Sequence, residues 1–228
     1  MSSSASSASS ASSASSDLLH ISLREPLTSP EQLCALLGEP GQAAVRKQIA
    51  TLDEHCRRFI ALAPLLFISS ANRAGLCDVS PKGDAPGLAR PLSDTLLAIP
   101  DRPGNRRADT LRNILENPHV GLLFVIPGLR ETLRINGAAT IYTDAALLDL
   151  LAVEGKRPQL AIVVEAQEVY LHCGRALVRS GLWDTSTWPQ PEALPSAAQI
   201  FADHIALPSV TREVAEESLE ESYTTDLY

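Results

Sequence analysis

Apolar positions first recur at helical spacing after Ser29-Pro30-Glu31, where Leu33, Leu36 and Leu37 follow a serine cap and a first-turn proline, and Gly38 offers a stop. A longer helix is predicted from about Gln42 to Phe59, because Val45, Ile49, Leu52 and Cys56 share one face and charged residues take the other. At Leu65 the period shortens. LLFISSA and LCDVS flank the turn-like Asn72-Arg73-Ala74-Gly75 and predict a hairpin. TLLAIP is a further strand, and after it comes a short helix capped by Asn105, with Leu111, Ile114 and Leu115 as its buried stripe and Pro118 as its stop.

HVGLLFVIP is continuously apolar, as in a strand covered on both faces, whereas TLRINGAATIY alternates with Leu133, Ile135, Ala139 and Ile141 on one face. A short helical piece from Asp144 to Ala152 precedes QLAIVVEAQEVYLH, whose β-branched residues mark another strand. Six strands without regular β-α alternation predict a mainly β fold with peripheral helices, an antiparallel barrel rather than a doubly wound sheet. A last helix is expected from Ser196 to Ala206. The acidic end, with Glu213, Glu216, Glu217, Glu220 and Glu221, reads as a solvated helix or frayed tail without a chemical role.

Composition narrows the function classes. A chain of 228 residues, 45% hydrophobic, can bury one sizeable core, and its formal net charge of −8 argues against a general nucleic-acid binder. Any anion site must therefore be local. Cys34, Cys56, Cys77 and Cys173 form no C-x-x-C pair, so reduced thiols are expected rather than a zinc knuckle or a redox dithiol. His20, His55, His119 and His204 lack metal-ligand spacing, and no metal site is expected. His172 and Cys173 are neighbours on a strand and point to opposite faces, which rules against a thiol–imidazole pair. The Ser/Ala-rich residues 1–16 carry neither a secretory nor a mitochondrial targeting pattern and read as a flexible tail. No window approaches the ~20 apolar residues of a membrane span, so a soluble, cytoplasmic protein is expected.

The most informative segment joins the strand end Ile99-Pro100 to a helix through Asp101-Arg102-Pro103-Gly104-Asn105-Arg106-Arg107. A helix start exposes unpaired N–H groups and partial positive charge, which suit a phosphate, and guanidinium groups match phosphate oxygens with paired donors. In an acidic protein, gathering Arg102, Arg106, Arg107 and Arg112 into one short stretch points to an anion site; basic helix ends exposed for solubility are the other reading. Upstream, Asp78-Val79-Ser80-Pro81-Lys82-Gly83-Asp84 places a hydroxyl and an ammonium at a strand end, as a polar turn or as a second set of phosphate donors.

These residues resemble the pyridoxamine 5′-phosphate oxidase-like flavoproteins, which share the FMN-binding split barrel. The matching segments are CDVSPKGD, LLAIPDRPGNRRADTLRNILENPHVGLLF, ETLRINGAA and HCGRALVRSGLW, together covering about residues 60 to 185. The resemblance is specific to the subgroup carrying DVSP-[KR]-GD, IPDRPGN-R and LRNILENP. It implies a six-stranded split barrel over 60–185, which with the composition and periodicity above leaves a tail over 1–16, a helical segment over 17–59 and a helical extension over 186–228. It further implies a homodimer with two FMN sites across its interface.

By that resemblance Asp78, Val79, Ser80, Pro100 and Asp101 border the flavin ring and ribityl chain, and Lys82, Asn105, Arg106 and Arg107 hold the phosphate, with Thr110 and Arg112 next in order. Thr132 and Arg134 approach the flavin from the following strand, and Arg175, Ser180 and Trp183 come from the partner subunit. Relatives that oxidise pyridoxamine phosphate place basic residues where Asp109 and Thr110 stand here, which argues against that particular reaction. The implied activity is an FMN-dependent oxidoreductase with no catalytic side chain of its own, acting on an unidentified small molecule. The alternatives are a non-catalytic flavin carrier or sensor, or a split barrel holding a deazaflavin or haem.

Overall fold

The computed structural model describes residues 22–225 and residue 227, and the chain divides after Gly41 into two units. The predicted tail over 1–16 and His20 lie outside the described residues. In the first unit, α1 (Pro30–Leu37) begins as its sequence prescribes: the Ser29 side chain accepts the Gln32 N–H, and Gly38, at φ 76°, ends the helix by donating to the Cys34 carbonyl.

The second unit runs through α2 (Gln42–Arg46), α3 (Glu54–Leu62), β1 (Leu65–Ala71), β2 (Cys77–Gly83), β3 (Arg90–Pro91), β4 (Leu96–Pro100) and α4 (Asp109–Glu116). It continues with β5 (His119–Val125), β6 (Thr132–Tyr142), α5 (Ala145–Leu150), β7 (Ala161–His172), α6 (Arg175–Arg179), α7 (Ala197–Ile205) and α8 (Arg212–Thr224). The strands form one antiparallel sheet in the order β2-β1-β5-β6-β7-β4-β3. The six predicted strands are the six long ones, and the two-residue β3 is a seventh that is too short to show a period.

The order is that of an open sheet, with β2 and β3 at its ends, not of a closed ladder. The sheet is nonetheless curled: Leu66 and Ile68 of β1 share a single core with Leu97 and Ile99 of β4, although three strands separate β1 from β4 in the hydrogen-bonded order. Curling of this kind follows from strand twist reinforced by a bulge. The register of β6 on β7 shifts between Asn136 and Gly137, and a Cβ on Gly137 would lie 2.1 Å from the Glu165 carbonyl oxygen. Only glycine fits this approach.

Two helix predictions are corrected. The single helix expected over Gln42–Phe59 is broken into α2 and α3, because Ile49 leaves the helix to exchange backbone hydrogen bonds with Val169 of β7 (3.0 and 2.8 Å). Asp53 then caps α3 by accepting the Cys56 N–H at 2.8 Å, and Val45 is exposed instead of packed. The helix after β4 starts at Asp109 with Ala108 as its N-cap, not at Asn105, and its stripe is Leu111 and Ile114, with Leu115 exposed. The acidic end is the helix α8, which packs on α7 through buried Ala215 and Ala198. No helix among the described residues is long and apolar enough to cross a membrane.

Candidate functional site

Side chains alternate along β2, so Asp78, Ser80 and Lys82 share one face. Their partners across the ladder are Ser70, Ile68 and Leu66 of β1, all buried, which makes this the inward face. A polar row pointing into a core is costly unless it is satisfied. Here it is: the Thr110 hydroxyl, buried at the start of α4, donates to the Asp78 carboxylate and lies 3.0 Å from Ser80 Oγ, while Ser80 Oγ is 3.3 Å from the same carboxylate oxygen. Next on the same helix, Asn113 Nδ2 donates to Ser70 Oγ at 3.0 Å, and Asn117 Nδ2 reaches the Ala71 carbonyl at 3.1 Å. The start of α4 is thereby fixed over β1 and β2.

Lys82, farther along the row, is tied by its ammonium at 2.6 Å to Asp101, just beyond the buried Pro100 that ends β4. Beside this pair, Arg102 donates to Asp84 at 2.8 Å and to the Leu151 carbonyl at 3.1 Å, with both charged side chains largely buried. Arg102 is thus a structural strut, and the anion site expected from the arginine cluster is left to Arg106, Arg107 and Arg112.

The chain entering α4 is strained. Arg106 and Ala108 both sit at φ 59°, a left-handed conformation that costs a residue with a Cβ roughly 1–2 kcal/mol. Asn105 does not cap the helix; its side-chain oxygen accepts the Arg107 N–H at 3.0 Å. No side chain caps α4, so its first N–H groups have no side-chain acceptor at the end that carries the helix's partial positive charge. Arg107 forms a short ion pair with Asp109, whose hydrogen bond and then charge hold the guanidinium proton more tightly than usual. The guanidinium groups of Arg106 and Arg112 have no protein partner among the described residues, and both residues are exposed.

Register separates the other predicted residues from this group. Val79 stands on the opposite face of β2, and Thr132 and Arg134 on the opposite face of β6 from the core residues Leu133 and Ile135. Thr132 is buried opposite His172, while Arg134 lies 5.6 Å over the Tyr170 ring and donates to Asn136 Oδ1 at 3.2 Å. Lys47 stands 5.1 Å over the same ring. Ser180 Oγ closes α6 on the Leu177 carbonyl, and Trp183 Nε1 donates to the Leu129 carbonyl at 2.9 Å. Arg175 lines a cavity of about 440 Å³ between α6 and the loop before β6. Within one chain no hydrogen bond among the described residues links Arg175, Ser180 or Trp183 to α4.

Asn113 and Asn117 were not legible as site residues, although their signal was present: polar residues three and seven places after Thr110 fall on the packing face of a short helix.

A family profile described as pyridoxamine 5′-phosphate oxidase matches residues 52–173. The chain belongs to the pyridoxamine 5′-phosphate oxidase family. The matched span runs from the start of α3 through β7 and includes the polar row, Asp101 and α4, whereas Arg175, Ser180 and Trp183 lie beyond it. No curated protein matches the chain. Among solved structures, HupZ from Group A Streptococcus is similar at 15% identity and a TM-score of 0.43, over 52% of this chain and 92% of that one. General stress protein 26 from Bacillus anthracis str. Sterne has 15% identity and a TM-score of 0.39, over 52% and 94%. An FMN-binding protein from Syntrophomonas wolfei subsp. wolfei has 12% identity and a TM-score of 0.39, over 50% and 82%.

Proposed function

We propose that this chain is an FMN-binding flavoprotein that works as a homodimer in the cytoplasm, its curled sheet serving as a split barrel, and that it is an FMN-dependent oxidoreductase acting on a small molecule. The observation that carries the proposal is the start of α4: an uncapped helix end, held by strained backbone, with Arg106 unpartnered and Arg107 beside it. Strain of this kind persists where surrounding structure over-determines it, and an uncapped helix start beside guanidinium groups is complementary to a phosphate monoester. Family membership adds its weight to a flavin nucleotide as the bearer of that phosphate.

Arg106 and Arg107 would take the phosphate oxygens, with Arg112, Asn105 and Lys82 completing the grip. Asp78, Ser80, Pro100 and Asp101 would border the ribityl chain and ring at the ends of β2 and β4. On the outer sheet face, Val79, Thr132 and Arg134 would meet the second copy, which brings its own Arg175, Ser180 and Trp183. That face suits a second copy because it leaves Phe67 and Val79 exposed, at 37% and 63%. When bound, FMN supplies the redox chemistry, and the protein contributes position, electrostatics and exclusion of water.

The test is the absorbance spectrum of the purified protein, with mass spectrometry of the ligand released on denaturation. FMN is expected, followed by its reduction with NADH or NADPH and reoxidation by oxygen or a quinone. A haem spectrum or a deazaflavin mass contradicts the cofactor assignment, and bound FMN without turnover across a broad donor panel contradicts the oxidoreductase while leaving a flavin carrier.

A further inference from the structure

The last two helices form a package of their own. α7 and α8 pack on each other through Ala198 and Ala215, and neither alanine belongs to the cores of the sheet. The other large apolar side chains of α7 are left to solvent: Ile200, Phe201 and Ile205 are 41%, 47% and 45% exposed. At roughly 100° per residue they fall on one side of the helix, opposite Gln199 and Asp203, which bond to each other at 2.8 Å. Beside this apolar side, α8 carries five glutamates against one arginine. Both helices lie beyond the span that the family profile matches.

The sheet leaves a complementary surface bare. Val79 and Pro81 of β2, Phe67 of β1 and Leu123 of β5 stand together on its outer face, and the first three are exposed. Two strands farther on, the same face turns cationic. Lys47 and Arg134 both stand over the Tyr170 ring, and neither has a carboxylate partner among the described residues. Glu168, next to them, is engaged by Asn136 and Gln48. Packed helices lie ~8–10 Å apart, which is about two strand spacings. A hairpin laid along the strands with α7 on β1 therefore brings acidic α8 over β6, on the cationic half. Apolar meets apolar and acid meets base, while in its own chain the hairpin leaves this face uncovered.

We propose that the α7–α8 hairpin of one copy covers the outer sheet face of a second copy, and reciprocally, with Ile200, Phe201 and Ile205 on Phe67 and Val79 and the α8 glutamates towards Lys47. The inference rests on the homodimer proposed above and names what closes it: the chain passes from Trp183, assigned there to the second copy, directly on to α7.

The test uses native Cys77, exposed on the same outer face two residues before Val79. Full-length Phe201→Cys in a Cys173→Ser background is prepared unlabelled and heavy-isotope-labelled, and the two are mixed, left to exchange subunits and treated with a short bismaleimide. Mass spectrometry is expected to find position 201 of one copy linked to Cys77 of the other, with one label from each. A link within one chain, a link between two hairpins, a link to Cys34 of α1, or no link overturns the inference. Phe201→Asp, which leaves the sheet untouched, should raise the dimer dissociation constant at least about tenfold in sedimentation equilibrium, and an unchanged constant also overturns it. Sedimentation separates the two readings: a dimer without the link sinks this inference alone, and a monomer sinks the homodimer with it.

Discussion

The ammonium of Lys82 and the carboxylate of Asp101, 2.6 Å apart, join the edge strand β2 to the end of β4 across the opening of the curled sheet. The two side chains are about one-fifth exposed, so the pair is neither a surface ornament nor a fully desolvated one. Removing one partner leaves the other charge mostly buried and unpaired; Lys82→Met or Asp101→Asn should each lower the unfolding free energy by about 1–3 kcal/mol. Urea denaturation checks this, and the double variant should recover part of the loss in a double-mutant cycle.

Arg102 and Asp84 form a more deeply buried pair, at 15% and 3% side-chain exposure. Arg102→Ala should cost about 3–5 kcal/mol, the penalty for stranding a buried charge. In thermal unfolding this variant should melt well below Arg106→Ala, which touches no protein partner and should unfold like the wild type. Equal melting temperatures for the two would contradict the division of the arginines into strut and anion site.

Gly137→Ala addresses the bulge that curls the sheet. An added Cβ would meet the Glu165 carbonyl oxygen at 2.1 Å, and backbone on both strands would have to shift. A loss of at least about 2–3 kcal/mol is expected, as for overpacking in a tight core. Gly104→Ala, where a Cβ would meet nothing within 4 Å, is the matching control and should leave stability nearly unchanged.

Much of the sheet was legible because its strands bury one face and so keep a two-residue period; β1 and β6 are examples. What escaped was decided by tertiary contact. Val45, Ile49, Leu52 and Cys56 are spaced as a helix face, yet the backbone pairing of Ile49 with Val169 outweighs that pattern and breaks the helix. Asn105 has the chemistry of a cap, but left-handed Arg106 and Ala108 delay the helix until Asp109. At the site, the resemblance set Asp78 and Ser80 against the flavin ring and Lys82 and Thr110 at its phosphate; the structure lines Asp78, Ser80 and Lys82 along one inward row, with the Thr110 hydroxyl bonded to the first two. Sequence alone could not show that Arg102 is already engaged, because Asp84 and Leu151 reach it only through the fold.

Cys56 reports on the packing of α3. Burial first, then the hydrogen bond and charge of Asp53, push its thiol from an ordinary 9.0 up to about 12. The unfolded chain therefore loses this proton first as pH rises, and between pH 9 and 12 the native state binds more protons than the unfolded one. Stability contributed by the neutral thiol is complete below pH 9 and declines across that window. Cys56→Ala should remove that component of the decline in pH-dependent urea denaturation. Iodoacetamide at pH 8 should modify exposed Cys77 and Cys173 in the native protein and leave Cys56 intact until it unfolds.

The start of α4 is tested most directly by fluorescence titration of FMN into cofactor-stripped wild type and the Arg106→Ala/Arg107→Ala variant. At ~1.5–3 kcal/mol for each charge-assisted hydrogen bond, the variant should bind FMN at least about a hundredfold more weakly while melting at the wild-type temperature. Equal affinities in two equally folded proteins would contradict the assignment of the phosphate to this helix end.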